Sequence, residues 1–336
     1  MSAPVVLQIA EIERLAQAAL AKAGAGPHAA KSLATAIAAA ERDGIASHGL
    51  AYLATYCQHL QCGKVIPSAV PRVVRPAPGV VTVDAQSGFA HPAIDAGFAE
   101  LVPLARAQGI ATLTIRNSYN CGVLGYHTET LARSGLVALG FTNAPASIAA
   151  SGGKRPVLGT NPWSIAVPDG KGEAAIVIDQ SASVVAKSEV MKKSRRGEAI
   201  PLGWTLGPDG APTTDPAIGL KGTMVPAGGY KGVGSALLVE IMAACLAGAT
   251  LGIDASPFSG TAGGPPRTGQ QFIAIAPDVT SGGAFAERLT GLVAALTSEP
   301  GADLAGSGRR AARARALSQG VAVDRATYDT VLSLQG

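Results

Sequence analysis

Residues 109–144 read GIATLTIRNSYNCGVLGYHTETLARSGLVALGFTNA, and their pattern decides the fold class. GIATLTIRNS mixes apolar and β-branched residues and closes on a polar turn, as a strand does. HTETLARSG has helical spacing and a glycine stop at Gly135. LVALGFTNA is a second apolar strand that ends in a turn. Strand, helix and strand in succession predict an α/β architecture. NPWSIAVP (161–168), AAIVIDQS (174–181) and QFIAIAP (271–277) read as further strands.

Outward from this centre the chain becomes helical. Residues 7–24 and 29–43 carry apolar positions at spacings of three and four, interrupted between Gly24 and Pro27. A third helix is expected over 50–61, with Gly63 as its stop. Residues 65–85 hold prolines and β-branched pairs, which suit extended segments, and 93–107 return to helical period. Helices are also expected over 233–250 and 282–297, and over the polar tail 309–334 after a turn at GSGRR (306–310). There is no internal repeat and no low-complexity linker.

Composition narrows the function classes. The 336 residues are 47% apolar and 15% charged, a globular balance with room for a sizeable core. Aromatic residues make up 4%, too few for a base-stacking platform, and a net charge of +4 is too small to argue for nucleic acid. The four cysteines, Cys57, Cys62, Cys121 and Cys245, lack CxxC spacing, which favours a reduced, cytosolic setting. The start, MSAPVVLQIAEIERLAQ, turns polar by Glu11 and does not resemble a signal peptide. ALLVEIMAACLAGA (236–249) contains a charge and is too short to span a bilayer. The expectation is a soluble cytoplasmic protein without membrane or nucleic-acid partners.

Three stretches carry chemistry. In DGIASHGLAYL (43–53), Ser47-His48-Gly49 reads either as a helix end or as a proton donor with a hydroxyl beside it. GGYKGVGSALLVEI (228–241) opens a helix on glycines, with Lys231 near its start. It is either a phosphate cradle or a turn before a core helix, and it is not a P-loop. AGSGRRAARAR (305–315) offers Arg309 and Arg310 to a phosphate, or is a solvated helix start. No GxGxxG follows a strand, so a classical dinucleotide fingerprint is absent. No His, Asp or Glu cluster has metal-ligand spacing. His28, His59, His91 and His127 have no partner pattern and read as packing or surface residues, as does Cys121.

Five motifs then occur in order: DGIASHGLAYLATYCQHLQCGKVIP, NSYNCGVLGYHTETLARSGLVALGFTNA, GGKRPVLGTNPWSIAVP, IVIDQSAS and GGYKGVGSALLVEIMAACLAGA. Together they resemble the malate/L-lactate dehydrogenase family of NAD(P)-dependent oxidoreductases, which lack a Rossmann domain. Within it the chain looks most similar to the branch that reduces the cyclic imines Δ1-piperideine-2-carboxylate and Δ1-pyrroline-2-carboxylate. The resemblance covers about residues 8–315. It implies a homodimer and an α/β mixed-sheet cofactor domain over 111–300. It also implies a helical part from residues 1–110, onto which 301–336 pack back.

The resemblance also implies roles. His48 becomes the proton donor, with Ser47 and Glu189 as its charge relay. The cofactor, NADPH with NADH as the alternative, would meet Asn120, Cys121, Gly122, Val123 and Leu124, then Ile178, Asp179 and Gln180. Gly229 and the turn Gly306, Ser307, Gly308, Arg309 and Arg310 would complete its site. Thr160 and Tyr52 would face substrate. Two positions depart from the family pattern. SHGxxR has Tyr52 in place of arginine, and SxHxG has Asn120 in place of histidine. A phenol binds a carboxylate without charge, so another cation must help, and Lys187 or the run KKSRR (192–196) is a candidate. Both departures favour imine reduction to L-proline or L-pipecolate over a 2-hydroxy-acid dehydrogenase acting on malate, lactate, sulfolactate or ureidoglycolate.

Overall fold

The computed structural model describes residues 3–335. Strand β1 (Val5–Leu7) leads into α1 (Ile9–Lys22), and α2 (Pro27–Arg42) follows a turn at Gly24. Pro27 takes the first helical position, where no intrahelical partner exists for an N–H. A single 3-10 turn, Ala46–His48, joins α2 to α3 (Leu50–Gln61). The end of the chain returns here. β14 (Val321–Val323) pairs antiparallel with β1, and α12 (Arg325–Ser333) packs against α1 and α3. Ile12, Leu20, Leu33, Leu53, Val323 and Val331 share one core.

The second unit is a seven-stranded sheet. Its strands are β2 (Arg72–Ala77), β3 (Val80–Asp84), β4 (Ile110–Ser118), β5 (Val137–Thr142), β8 (Trp163–Pro168), β9 (Ala174–Gln180) and β13 (Thr268–Ile275). Their order is β2-β3-β4-β13-β5-β8-β9. Only β3 and β4 run parallel, joined by the crossover helix α4 (Ala90–Gln108); every other pair is antiparallel. A doubly wound crevice needs parallel strands on both sides of a switch point, and this mixed sheet offers none. Beyond it lie short ribbons: β6 (Ile148–Ala149) with β7 (Pro156–Leu158), and β10 (Thr205–Leu206) between β11 (Pro212–Thr213) and β12 (Thr223–Met224).

Helices cover both faces of the sheet because β13 alternates its side chains. Phe272 and Ala274 point to α4, while Ile273 points the other way. Gly97 of α4 lies so close to Leu113 of β4 that a side chain there would collide. α5 (Leu124–Arg133) covers β5 and β8, with Gly140 opposite Thr128. On the second face α8 (Tyr230–Glu240) passes into a π-helical turn, Ile241–Cys245. Its Ala243 carbonyl sits directly against Gly269, where a side chain would not fit. The remaining helices are α6 (Lys187–Arg196), α7 (Pro216–Gly219), α9 (Pro277–Ser281), α10 (Phe285–Leu296) and α11 (Ser307–Gln319).

Two features differ from the sequence expectation. The sheet begins at Arg72, so strand pairing draws residues 72–84 into it, and α4 packs on its face, whereas the division at residue 110 groups both with the helical part. The tail over 309–334 is two helices, because Val321–Val323 supplies the strand that pairs with β1.

Candidate active site

Ser47 and His48 sit in the tight turn after α2, and a buried carboxylate fixes their exit. Glu41 accepts the Leu50 N–H at 2.7 Å and fills the space beside Gly49, so position 49 has no room for a side chain. Ser47 Oγ lies 3.0 Å from His48 Nδ1. A hydroxyl that donates to Nδ1 leaves Nε2 to carry the ring proton. Burial lowers the His48 pKa, and the charge of Asp179 partly restores it. His48 shares a narrow space with Tyr56, His91, Gly122, Val123 and Tyr126.

The turn at 120–125 builds the opposite wall. Asn120 Oδ1 accepts the Gly122 N–H at 2.7 Å, and Gly122 takes a positive φ of 68°, which glycine adopts without strain. Asp179 Oδ2, near the end of β9, accepts the Gly125 N–H at 2.8 Å in the first turn of α5, a favourable end of the helix dipole for a carboxylate. Arg309 Nη2 donates to the same oxygen at 3.2 Å, while Arg309 Nη1 is buried with no partner. Arg310 Nη1 donates to the Ala175 carbonyl at 3.0 Å, and Gly306 closes against Val177. Cys121 is buried and its pKa is pushed up to about 12, so it packs as a thiol and does not act as a nucleophile.

α11 is held by a buried ion cluster. Arg313 donates to Asp43 Oδ2 at 2.8 Å and to Glu129 Oε1 at 2.7 Å, and so ties α11 to the end of α2 and to α5. Burial alone would raise the Asp43 pKa, but Arg313 and Arg42 hold it below the usual carboxylate range.

Past Asp179 the chain reaches Ala182. Its N–H donates to the Thr160 carbonyl at 2.8 Å, and its own carbonyl accepts from the Ala227 N–H at 2.8 Å. Thr160 therefore lies one peptide away from the glycine turn at Gly228 and Gly229 that opens α8. Asn161, buried with φ 39°, anchors the helix that this turn opens: its Nδ2 donates to Glu240 Oε2 at 2.7 Å and to the Ala236 carbonyl at 2.9 Å. The sequence reading did not single out Asn161, Glu240, Glu41 or Arg313. Asn161, Glu240 and Arg313 act through partners far away in sequence, and Glu41 acts across a turn on the Leu50 N–H nine residues on, so local periodicity carried no signal for them.

Two expected site residues are engaged elsewhere. Glu189, in the first turn of α6, is half-exposed, with Oε2 3.7 Å from Lys192 Nζ. The carboxylate whose charge raises the His48 pKa is Asp179. Tyr52 donates its hydroxyl proton to the Phe258 carbonyl at 2.7 Å, so it ties the loop after α8 to α3 and is not a free donor for substrate. The side chains of Tyr119 and Asn120 act on the same hydroxyl, as does the charge of Arg195 on α6. The two departures from the family pattern, Tyr52 and Asn120, are thus neighbours. Lys187 is largely buried and donates to Ser147 Oγ at 3.0 Å.

Ser47 and His48, the 120–125 turn, Asp179 and Arg309 are therefore brought together from four separate elements, and the family model for malate/L-lactate dehydrogenase matches residues 7–332. The chain belongs to the malate/L-lactate dehydrogenase family. As a member, it is an oxidoreductase that uses a nicotinamide cofactor. It is 43% identical to the (2R)-3-sulfolactate dehydrogenase (NADP(+)) of Chromohalobacter salexigens, over 92% of each chain. It is 38% identical to the Δ1-pyrroline-2-carboxylate reductase of Ancylobacter novellus, over 99% of this chain and 98% of that one. The crystal structure of Δ1-piperideine-2-carboxylate reductase from Pseudomonas syringae superposes with a TM-score of 0.92 at 34% identity, covering 98% of this chain and 99% of that one. Among the described residues, no helix is long and apolar enough to cross a membrane.

Proposed function

We propose that the protein reduces a cyclic imine, Δ1-pyrroline-2-carboxylate or Δ1-piperideine-2-carboxylate, to L-proline or L-pipecolate with NADPH. The observation that carries this reading is the cluster of neutral side chains around the Tyr52 hydroxyl, four residues along the chain from His48. Tyr52 and Asn120 stand where the family pattern has arginine and histidine, and Tyr56 and Tyr119 are buried with them. A dianionic acid such as a sulfonated keto acid would lose hydration there without a matching pair of charges. A protonated cyclic imine with one carboxylate is a zwitterion, which neutral hydrogen-bonding groups can hold. Arg195 and Lys187 supply positive charge at the margin.

The cofactor's residues fit it. A buried guanidinium nitrogen without a partner, at Arg309, adjoins a carboxylate, Asp179, at the start of a helix; that combination suits a phosphate and a ribose. Arg309 with Arg310 favours the 2′-phosphate of NADPH. The 120–124 turn, Ile178 to Gln180, Gly229 and the 306–310 turn complete the proposed site. The bound cofactor supplies the hydride to C2. His48 Nε2 gives the proton that the ring nitrogen needs, Ser47 fixes the imidazole, and Asp179 supports its charged form. The relay role expected of Glu189 passes to Asp179 in this reading. Thr160, beside Ala182, borders the substrate.

An exposed apolar stripe supports self-association. Tyr230, Leu237, Leu238, Ile241 and Leu246 lie along one side of α8 and the π turn. Contiguous apolar surface of this kind marks an interface, and we assign it to a homodimer working in the cytoplasm.

The test follows NADPH absorbance with each imine and with sulfopyruvate, pyruvate and oxaloacetate. The expected result is a higher kcat/KM on an imine. A higher value on sulfopyruvate would replace this reading with 3-sulfolactate dehydrogenation, which the 43% identical relative favours.

A further inference from the structure

Behind the catalytic turn is a second space that the reaction as described does not use. It is a cavity of about 280 Å³, lined by His28, Lys31, Ser32, Asp95, Tyr126 and His127 together with His91. His91 also lines the narrow space that holds His48, as does Tyr126. These two side chains alone are common to both walls. The cavity opens where His28, Lys31 and Asp95 are exposed, and Ser32 donates to Asp95 at that mouth.

His91 is unusual among the histidines. It is 2% exposed, and its Nδ1 is buried with no hydrogen-bond partner. Its neighbour His127 stacks against it with ring centroids 5.4 Å apart, but His127 Nε2 is committed to the Cys121 carbonyl at 2.9 Å. A buried imidazole nitrogen left without a partner is a disfavoured arrangement unless water or a passing proton meets it. The cavity is polar and large enough for several waters.

We propose that His91 and this cavity form the route by which His48 regains its proton after each turnover. The inference rests on His48 as the proton donor. Each reduction moves a hydride from the cofactor to carbon and one proton from His48 to the imine nitrogen, which leaves His48 neutral. A proton enters from water at the Lys31, Ser32 and Asp95 mouth and binds His91 at Nδ1. His91 releases its other proton from Nε2 toward His48, and a solvent-assisted shift of the remaining proton from Nδ1 back to Nε2 resets the ring, so the net change over a turnover is one proton taken from solvent. Burial and the neighbouring His127 hold the His91 pKa well below the ordinary histidine value, so the ring rests neutral and passes protons on without storing charge.

The experiment compares His91→Gln with the native enzyme in H₂O and D₂O, with NADPH and whichever imine or keto acid the native enzyme reduces. The expected result is a kcat at least about tenfold lower, a larger solvent isotope effect, partial rescue by added imidazole, and unchanged NADPH affinity. If His91→Gln does not fold, Ser32→Leu, which plugs the cavity from its mouth, should show the same imidazole-rescued loss. An unchanged kcat and isotope effect, or a loss accompanied by a lower Tm that imidazole does not relieve, overturns the route. A native enzyme that reduces only keto acids overturns the imine reading instead and leaves the route to be scored on that substrate.

Discussion

Asp179 and Glu189 lie ten residues apart in sequence, yet they occupy different electrostatic worlds. Asp179 closes β9, where the sheet presents it to the first turn of α5, to Arg309 and to His48. Glu189 opens α6, where its half-exposed carboxylate lies 3.7 Å from Lys192. A charge within the partly buried wall acts on its neighbours through a poor dielectric, whereas one in water is screened. The difference shows why a carboxylate near the right place in sequence is not yet part of a relay: the strand end, and not the residue type, carries Asp179 to the imidazole.

Several substitutions press on that contrast. His48→Ala should lower kcat by about 10²-fold or more, the scale of a positioned acid, while NADPH affinity measured by fluorescence titration stays near the native value. Arg313→Ala leaves Asp43 and Glu129 buried without their cation and should destabilise the fold by about 3–5 kcal/mol, read in urea unfolding. Because Asp43 has a lowered pKa, its contribution is present above the ordinary carboxylate range and is lost as pH falls through the lowered value; acid should therefore narrow the gap between native and variant.

Asp179→Asn should lower kcat about tenfold and move the pH profile. Reduction needs protonated His48, so kcat/KM falls as pH rises, with a midpoint below the usual histidine value because burial dominates. Removing the Asp179 charge should shift that midpoint further down. Arg309→Ala should raise KM for NADPH by about tenfold, the scale of a charge-assisted bond; an unchanged KM would show that this turn does not touch the cofactor. Glu189→Gln is expected to change kcat by less than about twofold. The reverse ranking of the two carboxylates would return the relay role to Glu189.

The hidden parts of the site share one cause. Asn161, Glu240, Arg313 and His91 do their work across long sequence separations, and Arg313 reaches back 270 residues to Asp43; Glu41 supports the His48 turn from within α2 across a break in the helix. No local period or spacing announces such contacts. The same holds for Tyr52 and Asn120. The sequence shows each as a departure from a motif, and only the fold makes them neighbours around one hydroxyl.

Periodicity by itself determined most of the elements. Leu50–Gln61 forms the helix its spacing requires, and the strands at 110–118, 137–142, 163–168 and 174–180 form where apolar runs end in polar turns, because those patterns reflect burial along a single segment. Tertiary structure decided what the segments share. Pairing drew residues 72–84 into the sheet, β1 recruited β14 out of the C-terminal tail, and β9 delivered Asp179 to the first turn of α5 and to Arg309. Pairing and long-range charge depend on which segments meet, and that is settled by packing of the whole chain rather than by any stretch of it.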